Sequence, residues 1–450
     1  MKSSLFSRLV KNYKKIRVKK SPQVNLVWGF FVYTLIGFLI ISIPFLQKTD
    51  ISVIDNLFTA SSAVSTTGLA TVNILESYTL IGQIWILIMI QIGGIGYMTL
   101  TTYVLLLTSR KITNWHAKIM NAEFTTPKSM KIKDFLISAF YFTVSMEVIG
   151  SIVLYFCFKA EGMDVLKAIW YSIFHSISAF CTAGFSLTKD SFIGFQGNYI
   201  FNGIIAFLSI AGSLGFIVVT DLWFLISRRT KKITYTSKLI LLGFLGLLFF
   251  GTIMIYFSES GMEIKNKDGL LIAFFQAMSA MTTVGFNTVP IGQLSMPILL
   301  LITMLMYIGA SPSGTAGGLK ITTLFAMVAI LKSRLFGQET ITLFWRKIPF
   351  ERLYVATSIF ILYTSLIFLF TFLLTYTEKF NLQDLLFETA SALGTVGLST
   401  GITSGLSTAG KLMMILLMFI GRVGVLTFGF AFLKRREDEE QRHKKEDLAV

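Results

Sequence analysis

Phe275-Gln-Ala-Met-Ser-Ala-Met-Thr-Thr-Val-Gly-Phe286 decides the fold, because the chain repeats it. Its skeleton is Phe, three residues, Ser-Ala, two residues, Thr, one residue, Gly. The same skeleton recurs at Phe58, Ser62, Ala63, Thr66 and Gly68, at Phe174, Ser178, Ala179, Thr182 and Gly184, and at Phe387, Ser391, Ala392, Thr395 and Gly397. In the quoted copy the positions are Phe275, Ser279, Ala280, Thr283 and Gly285. A long apolar segment precedes each copy and another follows it. The glycines lie roughly a hundred residues apart, so one unit is used four times. A short apolar half-helix ending in Thr-x-Gly between two spanning helices suits a pore that coordinates cations with backbone carbonyls.

Composition agrees. The chain is 54% hydrophobic and 14% charged, too apolar for a soluble domain. No signal-peptide core with a small-residue cleavage site is visible; residues 1–20 instead hold eight Lys or Arg and no acid. Cys157 and Cys181 both sit in apolar segments, which argues against a disulfide framework. His116, His175 and His443 lack metal-ligand spacing, and His175 reads as an ordinary packed residue rather than a proton carrier. The net charge of +16 resides beside the ends of apolar spans. That is the positive-inside signature, so the basic surplus reports membrane orientation and not nucleic acid.

Asn25–Leu46 reads as a spanning helix: at about 33 Å it matches a hydrocarbon core of about 30 Å. Asp55–Val64 is too short to span and runs into the first Thr-x-Gly. Leu80–Leu107 then returns to the starting side. The linker Arg110–Lys133 has six Lys or Arg and one acid, Glu123, and is therefore cytoplasmic. The later repeats follow the same plan. Asp134–Phe158 goes out, Val165–Ala179 re-enters, and Tyr199–Ile226 returns to Arg228, Arg229, Lys231 and Lys232. Lys238–Phe257, Gly269–Ala280 and a segment from Met296 to Lys332 and Arg334 make the third unit. Arg352–Tyr376, Leu385–Ala392 and Leu412–Leu433 make the fourth, ending at Lys434, Arg435 and Arg436. The opposite loops hold mixed charge, as in Glu259, Glu263, Lys265 and Asp268.

The expected protein is all-α and integral to the membrane. Four pseudo-repeats of helix, re-entrant pore helix, filter loop and helix surround one central pore, giving eight spanning and four re-entrant helices. Residues 1–24 form a cytoplasmic tail, 25–109, 110–228, 229–335 and 336–433 the four repeats, and 434–450 a solvated cytoplasmic tail with six basic and six acidic residues.

Irregular backbone survives at membrane depth only where it lines water or is buried in protein. Four Thr-x-Gly turns at one depth would turn carbonyls to a shared axis. The expected ion-binding filter is Thr66, Thr67 and Gly68, Thr182, Ala183 and Gly184, Thr283, Val284 and Gly285, and Thr395, Val396 and Gly397. Glycine is required because the carbonyl direction demands angles that a Cβ disfavours. Each half-helix points its carbonyl end inward, which favours a cation. Asp55 and Asp384 begin two of these half-helices, and Asp164 and Asp268 lie near the starts of the others. One such small-residue segment would read as helix packing; four aligned copies do not.

The returning helices align a second time. Gly93-Gly94-Ile95-Gly96 matches Gly212-Ser213-Leu214-Gly215 and Gly421-Arg422-Val423-Gly424. The third repeat starts correctly at Gly309 and then departs, as Gly309-Ala-Ser-Pro-Ser-Gly-Thr-Ala-Gly-Gly318. Such a run of glycine, proline and small residues cannot sustain a helix, so a loop is expected below the filter. It is no phosphate-binding loop, since Gly314–Lys320 lacks that spacing and follows no strand. Arg422 sits midway along an apolar run, where a charge costs about 2.5–3.5 kcal/mol on insertion scales. Its aligned positions are Gly94, Ser213 and Ala310, all small. It must face the pore and find acceptors, and the loop offers free carbonyls. Gly309, Ser311, Pro312, Ser313, Gly314, Thr315, Gly317, Gly318 and Arg422 are therefore expected to form a gate. The alternatives for Arg422 are a fixed charge that slows cations and a plain helix-to-helix tie.

Four pore repeats with one glycine per filter, an interrupted third returning helix and Arg422 give a chain that resembles the superfamily of potassium transporters including TrkH, KtrB and the plant HKT proteins. The resemblance covers essentially the whole chain, and the compact length is similar to KtrB-type subunits, KtrD among them. It implies a single-chain pseudo-fourfold pore, a homodimer in a bacterial cell membrane, and a cytosolic nucleotide-binding ring (RCK-type, as KtrA or KtrC) as regulator. No Gly-x-Gly-x-x-Gly occurs here, so that regulator is expected to be a separate protein on the basic face. No cofactor is expected in this chain; potassium, or sodium, is the transported or activating ion. Plant relatives with serine in the first filter are associated with sodium preference, so Gly68 implies potassium. The filters are looser than the Thr-Val-Gly-Tyr-Gly of potassium channels. A secondary carrier coupling potassium to sodium or protons is the competing expectation. Carriers gather acids or bases at a midplane site, whereas Glu147 lies in an outer helix. No nucleophile–base or metal constellation points to an enzyme.

Overall fold

The computed structural model describes residues 22–96, 132–228, 230, 232–258, 268–309, 311–312, 314–344 and 346–432. The expectations for the basic tail up to residue 21, most of the 110–133 linker, Arg229, Lys231, Glu259, Glu263, Lys265, Ser313 and the 434–450 tail lie outside these residues.

Four outer helices, Pro22–Ile41, Ile132–Ala160, Tyr235–Ser258 and Phe350–Thr377, each precede a short pore helix. The pore helices are Val53–Ser65, Val165–Phe180, Gly269–Thr282 and Leu382–Gly394. Two of them start on a side-chain cap, Ser52 Oγ accepting from Asp55 N at 3.2 Å and Asp164 Oδ2 from Leu166 N at 3.2 Å. All four skeleton phenylalanines, serines and alanines are fully buried. The repeated pattern is thus a core pattern: the aromatic ring wedges each pore helix into the bundle, and the small Ser-Ala pair lets neighbouring backbone approach. Phe275→Ala is expected to leave a cavity costing about 3–5 kcal/mol. The melting temperature of the purified protein in detergent checks this, and an unshifted midpoint would refute the wedge.

Each inner helix packs against its own pore helix and against the pore helix of the next repeat. Leu80–Ile95 touches the first and second, Tyr199–Ile226 the second and third, and Met296–Tyr307 the third and fourth. Thr408–Val423 touches the fourth and the first, which closes the ring. An ion pair at that last seam, Lys411 Nζ to Asp55 Oδ1 at 2.7 Å, fastens the fourth repeat to the first.

The inner helices correct one expectation. An interruption was expected in the third repeat alone, but the second and fourth inner helices are also bent, and the first ends its helical run at Ile95. Gly96, Gly215 and Gly424, the last glycines of the aligned quartets, have φ of 87°, 78° and 91°. A positive φ ends an α-helix, and only glycine adopts it without Cβ strain. Tyr199–Ile226 is kinked at Gly215, and Thr408–Val423 meets Val425–Ala431 at 98°. Among the described residues five helices can cross a bilayer by length and composition, and the bent pair makes a sixth. In the third repeat Met296–Tyr307 ends early, and the helix resumes at Ile321–Leu335. A two-residue parallel pairing, Ile308 with Leu319 and Gly309 with Lys320, draws together the ends of the intervening loop.

Candidate ion filter and intramembrane gate

The four filter glycines touch one another in a closed cycle. A Cβ placed on Gly68 would strike the carbonyl oxygen of Ala183 and the Cα of Gly184. One on Gly184 would strike Val284 O and Gly285 Cα, and one on Gly285 would strike Val396 O and Gly397 Cα. One on Gly397 would strike Thr67 O and Gly68 Cα, returning to the start. The ring order is therefore one, two, three, four, with repeat one facing repeat three across one diagonal and repeat two facing repeat four across the other. The φ values of these glycines are 93°, 67°, 80° and 93°. Both reasons for glycine hold at once: the backbone angle excludes a side chain, and so does the neighbouring carbonyl.

The threonine before each filter carries strain that its sequence did not announce. Thr66, Thr182, Thr283 and Thr395 have φ of 52°, 50°, 56° and 48°. A left-handed β-branched residue is a true outlier, costing of order 1–3 kcal/mol. Backbone hydrogen bonds hold it there. The N–H groups of these threonines reach back to Ala63, Ala179, Ala280 and Ala392 at 3.1–3.3 Å. The N–H groups of Thr67, Ala183, Val284 and Val396 reach back to Ser62, Ser178, Ser279 and Ser391 at 2.8–3.2 Å. With these donors bonded back into the pore helices, the carbonyls of Thr67, Ala183, Val284 and Val396 lie against the filter glycines of the neighbouring repeats.

The skeleton serines strap the far side. Ser62 and Ser391 Oγ accept from the N–H of Gly68 and Gly397 at 3.1 and 3.0 Å. Ser178 and Ser279 instead donate to the carbonyls of Phe185 and Phe286 at 2.8 and 2.6 Å.

The glycine-rich loop lies against the inner side of this ring. Gly317 N donates to Thr283 Oγ1 at 3.0 Å, and Thr182 Oγ1 donates to Thr315 Oγ1 at 3.1 Å. A Cβ on Gly317 would strike Gly394 O and Thr395 Oγ1, so the loop touches filters two, three and four. The broken second inner helix supports it, Gly212 O accepting from Thr315 N at 3.1 Å and Ser213 O from Ser311 N at 3.3 Å. Pro312, Gly314 and Gly318 complete the loop, with Gly314 packed on the Ser213 carbonyl. By contrast, the hydroxyls of Thr66 and Thr395 are buried without a hydrogen bond.

Arg422 reaches the loop, Nη1 donating to Thr315 O at 2.5 Å. Nη2 donates to the carbonyls of Gly93 and Gly94, the latter at 3.1 Å. The guanidinium thus joins three repeats, using carbonyls in the last turn of the first inner helix as well as one of the loop. A cavity of about 360 Å³ lies beside it, lined among others by Gly94, Gly317, Lys320, Tyr363 and Arg422.

A family model described as "TrkH: Cation transport protein" matches residues 32–444. The chain belongs to the TrkH family. It is 34% identical over 426 residues to "Ktr system potassium uptake protein B" of Bacillus subtilis, covering 93% of this chain and 95% of the relative. It is also 34% identical over 441 residues to "Potassium/sodium uptake protein NtpJ" of Enterococcus hirae, covering 96% and 97%. The crystal structure of the potassium transporter TrkH from Vibrio parahaemolyticus superposes with a TM-score of 0.74 at 19% identity, over 92% of this chain and 86% of the other. That likeness shows the fold: a multi-pass membrane protein whose four pseudo-repeats surround one axis.

Several residues of this TrkH-family chain escaped the sequence reading. Lys320 Nζ donates to Ala316 O at 2.5 Å and to Gly317 O at 3.0 Å, so it clamps the loop from within. Its signal, a lysine ending a glycine run at membrane depth, was present and read only as a boundary. Asp221, within the second inner helix, accepts from the hydroxyls of Thr234 and Ser237 at 2.5 Å and secures the start of the third repeat. Glu388 is fully buried in the fourth pore helix. His175 packs among Phe158, Phe174 and Phe192, as its packed reading expects, but also makes specific hydrogen bonds.

Proposed function

We propose that this protein mediates potassium uptake across a bacterial cell membrane, through a channel-like pore whose filter is the glycine ring. The closed cycle of glycine–carbonyl contacts carries the reading. Four such turns, at the carbonyl ends of four pore helices, would present a field that favours a cation. The names of the Bacillus and Enterococcus relatives support potassium, with sodium as the second ion. Loop 309–318 and Arg422 act as the gate on the inner side. Both termini are cytoplasmic, the repeats divide as 25–109, 110–228, 229–335 and 336–433, and the working assembly is a homodimer with a separate cytosolic ring subunit.

Rubidium flux into proteoliposomes at imposed potentials, with and without sodium, tests the transport mode. Flux that follows potential in the absence of sodium supports the channel-like pore. Flux that requires sodium or a proton gradient would move the assignment to a coupled carrier.

The nucleotide response is assigned to the ring subunit because the chain lacks a glycine-rich dinucleotide motif. The purified chain is expected to bind no ATP, ADP or NAD in titration calorimetry. Tight binding by the isolated membrane subunit would contradict that division of labour.

A further inference from the structure

The residue directly after each skeleton phenylalanine is polar and buried, and it differs in every repeat: Thr59, His175, Gln276 and Glu388. In three repeats it crosses from the pore helix to the segment two to six residues beyond the filter glycine. Glu388 does so most completely. One carboxylate oxygen accepts from Ser399 Oγ and from Thr400 N, the latter at 3.2 Å, and the other accepts from Thr403 Oγ1 at 2.9 Å. His175 Nε2 accepts from Leu187 N at 3.1 Å and lies 3.0 Å from Ser186 Oγ. Because Nε2 accepts, the proton sits on Nδ1, 2.7 Å from Tyr171 O, and the ring is a neutral imidazole. Gln276 makes one such bond, Nε2 to Thr288 Oγ1 at 2.9 Å, and its own oxygen is buried without a partner. Among the described residues no hydrogen bond joins Thr59 to the segment beyond Gly68.

These clamps fall on the ring unevenly. Repeats two and four, which face each other, have the multiply bonded His175 and Glu388. Repeats one and three, on the other diagonal, have none and one. We infer that Glu388 and His175 are specificity-determining positioning residues, which hold one diagonal of the filter at fixed width from its own pore helices, whereas repeat three leans on a neighbour through Asn287, whose N–H donates to Ser191 Oγ at 3.1 Å and whose carbonyl accepts from Phe192 N at 2.9 Å. The inference rests on the glycine ring being the ion filter. A carbonyl ring discriminates by the size and dipole number it presents. That geometry persists only if the backbone behind it is preorganised by buried, satisfied hydrogen bonds. A segment released beyond the glycine lets its carbonyl follow a smaller ion inward, so sodium gains most from the loss.

The test is the potassium-to-sodium permeability ratio of the full-length protein in proteoliposomes, read with the two cations alone. Glu388→Leu and His175→Leu are each expected to lower the ratio about tenfold, and Gln276→Leu about twofold, on the scale of one to two lost hydrogen bonds. Glu388→Gln retains an acceptor for Ser399 and Thr400, and a rotated Thr403 hydroxyl can accept from the new amide. It is expected to stay within about twofold of the unsubstituted ratio. A Gln variant as impaired as the Leu variant would overturn the positioning role in favour of the carboxylate's charge. If Glu388→Leu does not fold, His175→Leu and Gln276→Leu still decide, since equal or reversed effects contradict the uneven diagonals. Gly285→Ser is measured alongside. If it lowers the ratio while the clamp variants do not, the filter stands and the clamp inference falls; if nothing lowers the ratio, the filter reading falls with it.

Discussion

Gly285→Ser is expected to lower potassium-over-sodium permeability by about tenfold or more, the equivalent of about 1.4 kcal/mol between the two ions. Two costs combine at this position. A side chain at φ of 80° is strained on its own account. The new Cβ would also overlap the carbonyl oxygen of Val396 and the backbone of Gly397 in the next repeat. Relief requires one of two filter turns to move, and either movement displaces a carbonyl from the ring. Gly68→Ser acts through Ala183 and Gly184 in the same manner, so the effect belongs to the ring and not to one repeat. Reversal potentials, or rubidium and sodium fluxes from one vesicle preparation, read the ratio directly. Unchanged ratios in both variants would remove the filter assignment.

What the sequence disclosed follows from what a linear pattern can encode. The repeat was legible because Phe, Ser, Ala and Gly face packing demands set within twelve residues, so four copies keep one spacing. The pore-helix boundaries came within a few residues for the same reason. Arg422 was conspicuous because charge in an apolar run is costly, and its need for carbonyl acceptors followed from its donors. The left-handed threonines were not legible. Nothing in Thr-x-Gly distinguishes a residue held at φ near 50° from one in an ordinary turn until its hydrogen bonds are known. The positive φ of Gly96, Gly215 and Gly424 was foreshadowed by aligned glycines, but alignment alone does not disclose it, since glycine serves packing and left-handed backbone alike. The clamps were missed for a different reason. Thr, His, Gln and Glu share no residue type, and their common position matters only because the chain folds back over the pore helix after each filter.

The proposed gate gives the second large effect. Deleting most of loop 309–318 is expected to raise cation flux about tenfold or more, since the obstruction is removed while each filter keeps its own pore-helix bonds. Arg422→Ala is expected to act in the same direction but less far. It removes charge-assisted bonds to Thr315 O and to the Gly93 and Gly94 carbonyls, each worth about 1.5–3 kcal/mol. The loop nevertheless keeps Lys320 on the Ala316 and Gly317 carbonyls, and the Gly317 N–H on Thr283. An incomplete release is therefore the result that the bonding pattern demands. Adding Arg422→Ala to the deletion should change flux little, because Thr315 is gone and the guanidinium has lost the part of its attachment that blocks the pore. The double-mutant cycle in potential-driven rubidium uptake separates the roles open to Arg422. Strong coupling identifies a latch on the loop. Full additivity would instead identify a fixed positive charge that hinders each passing cation whether or not the loop is there. A correctly folded loop deletion with unchanged flux would show that residues 309–318 do not obstruct the pore.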